Sequence, residues 1–120
     1  MPAPIVHFEI GARDSKRAQE FYTKLFSWTV NADNPMSYGM TYTKDGDVGI
    51  DGGIFQSEGP WYGVRLVAQV DDAEAYLKKA KELGGKLTSP VVEIPGMSMK
   101  VGFFTDPEGN LFGLYQPLPR

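Results

Sequence analysis

The chain is written twice. Displacing the 120-residue sequence by 58 positions sets His7 on Arg65, Asp14 on Asp72, Ala18 on Tyr76, Tyr22 on Ala80 and Leu25 on Leu83. An acidic helix cap and an apolar helical stripe therefore coincide. Toward the end of each half a displacement of 60 fits better, laying GIDGGIFQ (49–56) on GNLFGLYQ (109–116). The two-residue change falls in the loops between, where insertions are tolerated. Two matches in the same order mean that each half is a structural unit of one kind, and that the fold is built from a pair of them.

Each half reads as strand, helix and three further strands. In the first, 5–11 is a short apolar-rich strand, Asp14 offers a capping oxygen, and Ala18, Tyr22, Leu25 and Phe26 follow at helical spacing. Strands are predicted over 28–31, 38–42 and 48–55, with a hairpin signal at Asp45-Gly46. Residues 56–60 form a polar linker. In the second half the spacing predicts a strand over 64–70, then a helix capped by Asp71 or Asp72, with Tyr76, Leu77, Ala80 and Leu83 as its stripe. Gly84-Gly85 ends that helix. A short strand over 86–88, a long loop over 89–96 and strands over 99–105 and 111–116 complete the pattern, the last two joined by a type I turn at Asp106-Pro107-Glu108-Gly109. Phe21, Phe26, Trp28 and Leu83 are expected between helix and sheet.

One helix covers one face of a four-stranded unit, and the other face needs a second sheet. The expected architecture is α+β: two tandem βαβββ modules, about 4–56 and 61–117 within a single domain of 1–120, forming a curled eight-stranded mixed sheet with helices outside and a cleft within. Such a concave sheet suits a small molecule. The net charge of −3 and the lack of basic runs argue against nucleic acid. No cysteine is present, which excludes disulfides and thiolate chemistry. The first residues carry no leader or membrane-span pattern, so the default expectation is a cytoplasmic protein with no membrane partner.

Three segments, HFEIGARDSKRAQEFYTKLFSW, VRLVAQVDDAEAYLKKAKELGGK and FFTDPEGNLFGLYQP, together resemble the vicinal oxygen chelate superfamily, which includes glyoxalases, bleomycin resistance proteins and dioxygenases. The ending FGL followed by Gln116 is closest to its glyoxalase-like members. The resemblance implies the βαβββ pair and a homodimer. It also implies a divalent metal held by side chains on the first and last strands of each module. His7 matches the first of these positions. Arg65 stands at the second-module equivalent, and Gly113 and, by the repeat, Gly53 stand at the last-strand positions. Glycine has no donor and arginine stays protonated. Catalytic zinc needs about three protein ligands. No metal or other cofactor is therefore expected, His7 being the one retained ligand-type residue.

Alternation places His7, Glu9 and Gly11 on one strand face and Phe8 and Ile10 on the other. His7 and Glu9 are the candidate catalytic groups, with Asp51 a further base. Arg65, Val67 and Gln69 share the equivalent face, where a guanidinium suits a carboxylate or phosphate. Tyr42 and Trp61, with Tyr38, Met40, Met97 and Met99, are either pocket lining or plain core. The expected function is binding of a small organic molecule without metal. The alternatives are a lyase, isomerase or oxygenase acting on a carbonyl or aromatic substrate, metal-dependent or not, and an interaction module with no ligand.

Overall fold

The structure, a computed structural model, describes residues 2–119, so the expected domain bounds at 1 and 120 lie outside the described residues. The elements are β1 (Ile5–Ala12), α1 (Ser15–Phe26), β2 (Thr29–Asn31), β3 (Gly39–Tyr42), β4 (Gly52–Gln56), β5 (Gly63–Gln69), α2 (Ala73–Glu82), β6 (Lys86–Ile94), β7 (Met99–Thr105) and β8 (Leu111–Pro117). A single 3-10 turn spans Gly59–Trp61. The eight strands form one open mixed sheet in the order β2-β3-β4-β1-β5-β8-β7-β6. β1 pairs with β4, and β5 with β8, in parallel, whereas β2/β3, β3/β4, β6/β7 and β7/β8 are antiparallel. This is the expected α+β class, each βαβββ module supplying four strands. By contacts the chain divides into a first unit, His7–Val64, and a second, Arg65 onward with the segment up to Val6.

Both helices start with the same device. The Asp14 carboxylate accepts the Arg17 N–H at 3.1 Å, and the Gln56 side chain accepts the Ser15 N–H at 3.0 Å. In the second unit the Asp72 carboxylate accepts the Ala75 N–H at 3.1 Å, and Gln116 Oε1 accepts the Ala73 N–H at 2.9 Å. Each helix thus has two of its first-turn donors satisfied, one by a local cap and one by the last strand of its own module. The glutamines that align in the sequence repeat are therefore the ties that dock each helix start onto its sheet. At the far end of α2, Gly84 takes a φ of 102°, the left-handed conformation that glycine adopts without strain.

The second unit buries Ala68, Val70, Ala73, Leu77 and Leu114, with Val91, Phe104 and Phe112 packed against them. In the first, Phe8 of β1 meets Trp28 at 5.8 Å, and Trp28 in turn contacts Tyr22 and Phe26. Phe8 therefore faces the helix, as alternation requires. Three expected core residues are more exposed than predicted: Phe21, Phe26 and Leu83 are 58%, 53% and 71% exposed. Trp28 takes up the packing that the α1 aromatics were assigned, and no residue of α1 is fully buried. Leu83 falls on the cap of α2, well over one turn past Leu77, the last buried residue of that helix.

Two strand boundaries differ by more than the single residue seen at several others. Residues 89–94, expected as loop, continue β6 to Ile94. β6 lies at the sheet edge, and its pairing with β7 shifts register between Leu87 and Val92. An irregular edge strand tolerates Pro90, which has no N–H for the ladder. The strand expected from 48 begins instead at Gly52, because Val48 closes a tight turn on Asp45 as an isolated bridge.

Gln116→Ala is expected to lower stability by about 1 kcal/mol, the worth of one hydrogen bond to a helix start. Asp72→Ala is expected to cost a similar amount, about 1 kcal/mol. Urea denaturation of the two variants checks both; a Gln116→Ala variant as stable as the parent would show the tie to be incidental.

Candidate functional site

β1 sends His7 and Glu9 to the face opposite Phe8. Between them stands Tyr38. Its hydroxyl lies 2.9 Å from His7 Nε2 and donates to Glu9 Oε2 at 2.8 Å. The phenol ring is near-parallel to the His7 ring at 6.4 Å and stacks on Phe55 at 5.6 Å. Tyr38 precedes β3, and Asn34 fixes its backbone. Asn34 Oδ1 accepts the Tyr38 N–H at 2.9 Å, and Asn34 Nδ2 donates to the Tyr38 carbonyl at 2.6 Å. The loop therefore aims the ring before the strand begins.

The ring has room because residue 53 is glycine. Gly53 pairs with Glu9 on β1 and with Met40 on β3. A Cβ added at Gly53 would lie 1.9 Å from the Tyr38 hydroxyl, well inside contact distance. Any side chain at position 53 would have to displace the phenol. Sequence reasoning placed Tyr38 only among possible pocket-lining residues and missed its part in joining His7 to Glu9. The signal was Gly53 itself: a glycine on the face carrying His7 and Glu9 leaves a hole that another side chain must fill.

Burial lowers the pKa of His7, and it outweighs the opposing pull of the carboxylates, Glu9 first and Asp51 second. Asp51 is meanwhile held by the backbone, its Oδ1 accepting the Thr43 N–H at 3.0 Å. The site is thus a neutral imidazole and a carboxylate joined through one phenol, with a second carboxylate nearby.

The other expected site residues are placed as follows. In the second unit Arg65 is 4% exposed, with its guanidinium 5.9 Å from the centre of the Phe103 ring. Phe103 and Val67 each come within 3.0 Å of where a Cβ on Gly113 would stand, so this glycine too is covered by neighbours. Gln69 ends β5, opposite Tyr115, and its N–H donates to the Pro4 carbonyl at 2.9 Å. In the first unit Tyr42 is 47% exposed and pairs with Thr29, and Trp61 closes the 3-10 turn.

The family profile of the glyoxalase/bleomycin resistance protein/dioxygenase superfamily matches residues 4–114. The chain belongs to this superfamily. A glyoxylase-like domain-containing protein of Didymella fabae is 34% identical over 108 residues, covering 85% of this chain and 84% of that protein. The anthracycline biosynthesis protein DnrV of Streptomyces peucetius is 26% identical over 96% of this chain, but the match spans 47% of that longer protein. Among solved structures, a superfamily member from Vibrio splendidus superposes with a TM-score of 0.64 at 21% identity, covering 96% of this chain and 98% of that one. A methylmalonyl-CoA epimerase from Streptomyces coelicolor superposes with a TM-score of 0.66 at 17% identity, covering 99% and 100%. At these identities the structural matches speak for the fold alone.

The superfamily's metal can be tested against the residues present. At the four expected ligand positions stand His7, Gly53, Arg65 and Gly113. The space over Gly53 holds the Tyr38 phenol, and that over Gly113 holds Phe103 and Val67. No group of three His, Cys, Asp or Glu side chains among the described residues is arranged to hold an ion. The donor set does not fit the superfamily's divalent ion.

Gly53→Ala is expected to destabilise the chain by about 1–3 kcal/mol, as overpacking does. The same change in a Tyr38→Ala background should cost much less, and a double-mutant cycle by denaturation reads the coupling. Independent, additive costs would show that the phenol and the glycine do not share that space.

The lowered His7 pKa gives a pH dependence. The folded state takes up its proton less readily than the unfolded chain, so its full contribution is present above about pH 6.5 and falls as the pH drops through the depressed value. Melting temperatures measured between pH 7.5 and pH 5 should therefore fall less steeply in His7→Gln than in the parent.

Proposed function

We propose that this chain is a glyoxalase-like domain that binds a small organic molecule on the His7 and Glu9 face and does so without a divalent metal. The observation that carries this reading is the Tyr38 hydroxyl, hydrogen-bonded to both residues in the space that Gly53 leaves. A phenol in that place supplies a polar, orienting group and keeps His7 Nε2 engaged. In the second unit, Arg65 and Gln69 lie on one face of β5 and are candidate ligand contacts in their own right, as are Tyr42 and Trp61 in the first.

A second reading has support of its own. An imidazole and a carboxylate joined by a hydroxyl can move a proton, which is what a lyase or isomerase working without a metal requires. Methylmalonyl-CoA epimerases, which are isomerases by name, share this fold at 17% identity. The reading also includes a cytoplasmic homodimer. Phe21, Leu25 and Phe26 expose large apolar surface along α1, of the kind that a second copy would cover. Among the described residues no helix is long and apolar enough to cross a membrane.

The test uses protein purified without chelator or a metal-binding tag. Elemental analysis should find no stoichiometric zinc, iron, nickel or manganese, and light scattering should give the mass of two chains. A thermal-shift screen of small organic molecules should yield compounds that raise the melting temperature of the parent but not of His7→Ala. A full equivalent of metal that disappears in His7→Ala would overturn the metal-free reading. Hits that survive His7→Ala would move binding away from this face.

A further inference from the structure

Proton counting fixes which nitrogen of a neutral His7 carries the hydrogen. Tyr38 has one hydroxyl hydrogen, and it goes to Glu9 Oε2 at 2.8 Å, because a carboxylate can only accept. The phenol oxygen is therefore the acceptor in its 2.9 Å contact with His7, and Nε2 must carry the hydrogen. In a neutral imidazole the other nitrogen, Nδ1, then holds a lone pair. Among the described residues no hydrogen bond to Nδ1 is formed, and His7 is half-buried rather than enclosed.

We propose that Tyr38 and Glu9 lock His7 as its Nε2–H tautomer, and that Nδ1 accepts a hydrogen bond from a ligand hydroxyl, so that the site selects neutral phenols and enols over carboxylates. This rests on the binding role proposed above and names its ligand class. Two features favour the class. A carboxylate has no hydrogen to give to the Nδ1 lone pair, so only a neutral hydroxyl gains a bond there. The parallel rings of His7, Tyr38 and Phe55 favour a planar ligand that stacks as well as donates. Tyr38 is then a positioning residue, which sets the tautomer of the group that reads the ligand.

The chain has one histidine, so its imidazole can be observed without assignment. The experiment is a long-range proton–nitrogen correlation spectrum of the full chain at neutral pH, recorded alone and with 4-methylphenol or 4-methylbenzoate, probes that differ in the polar group. The expected spectrum is the Nε2–H pattern. 4-Methylphenol should move the Nδ1 resonance and bind about tenfold more tightly than 4-methylbenzoate, as one added hydrogen bond would give. Tyr38→Phe keeps the ring and its stacking, and should yield mixed tautomers and lose most of that preference. An Nδ1–H or doubly protonated ring in the parent would overturn the proposal. So would a preference for the benzoate, or an unchanged preference in Tyr38→Phe. A benzoate preference that depends on His7 would leave the binding role standing and remove only this ligand class, whereas binders indifferent to His7→Ala would remove the binding role itself.

Discussion

The contact between the Tyr38 phenol and its two partners on β1 governs the chemistry of the first unit. Its hydroxyl takes one hydrogen bond from His7 and gives one to Glu9, and both can form because nothing larger than hydrogen stands on Gly53. Replacing that hydrogen with a methyl group would bring carbon to 1.9 Å from the hydroxyl oxygen. Close packing and hydrogen bonding thus have one geometric condition in common, a bare backbone on β4. Asn34 supplies the other condition by holding the Tyr38 backbone from both its N–H and its carbonyl.

The two modules fill the space over a glycine in parallel ways. In the first, a tyrosine fills the space over glycine and brings a hydroxyl with it. In the second, Phe103 and Val67 crowd the space over Gly113, and Arg65 is buried with its guanidinium over the Phe103 ring. Glycine at either position would otherwise leave a void, which folded interiors rarely keep. The substitutes differ in kind, polar in one module and mainly apolar in the other. The two modules therefore share a scaffold and differ in the side chains that cover the corresponding glycine.

That scaffold is stabilised by ties that the repeat also preserves. Gln56 and Gln116 each accept from the first residue of the helix in their own module. The bond spans 41 residues in one case and 43 in the other, and it fixes the helix start against the last strand. Membership in the glyoxalase superfamily accounts for the βαβββ plan, and these hydrogen bonds account for how each helix is held in it. The match to DnrV covers less than half of that longer protein.

The sequence by itself determined the repeat, the order of elements, the Asp caps and the face that His7 shares with Glu9, because all of these follow from spacing and alternation within a few residues. The resemblance, rather than the residues themselves, pointed to His7, Gly53, Arg65 and Gly113 as ligand positions. Tertiary structure alone decided what fills the space over the two glycines. Tyr38 reaches its partners from 29 and 31 residues away, and no local period connects a loop tyrosine to a glycine two strands later. The same limit explains the apolar residues of α1. Phe26 follows Tyr22 at helical spacing suited to a core, yet it is largely exposed, as Phe21 is, while Trp28 meets Phe8. Periodicity says which residues share a side, but which of them is covered depends on what the rest of the chain brings to that side.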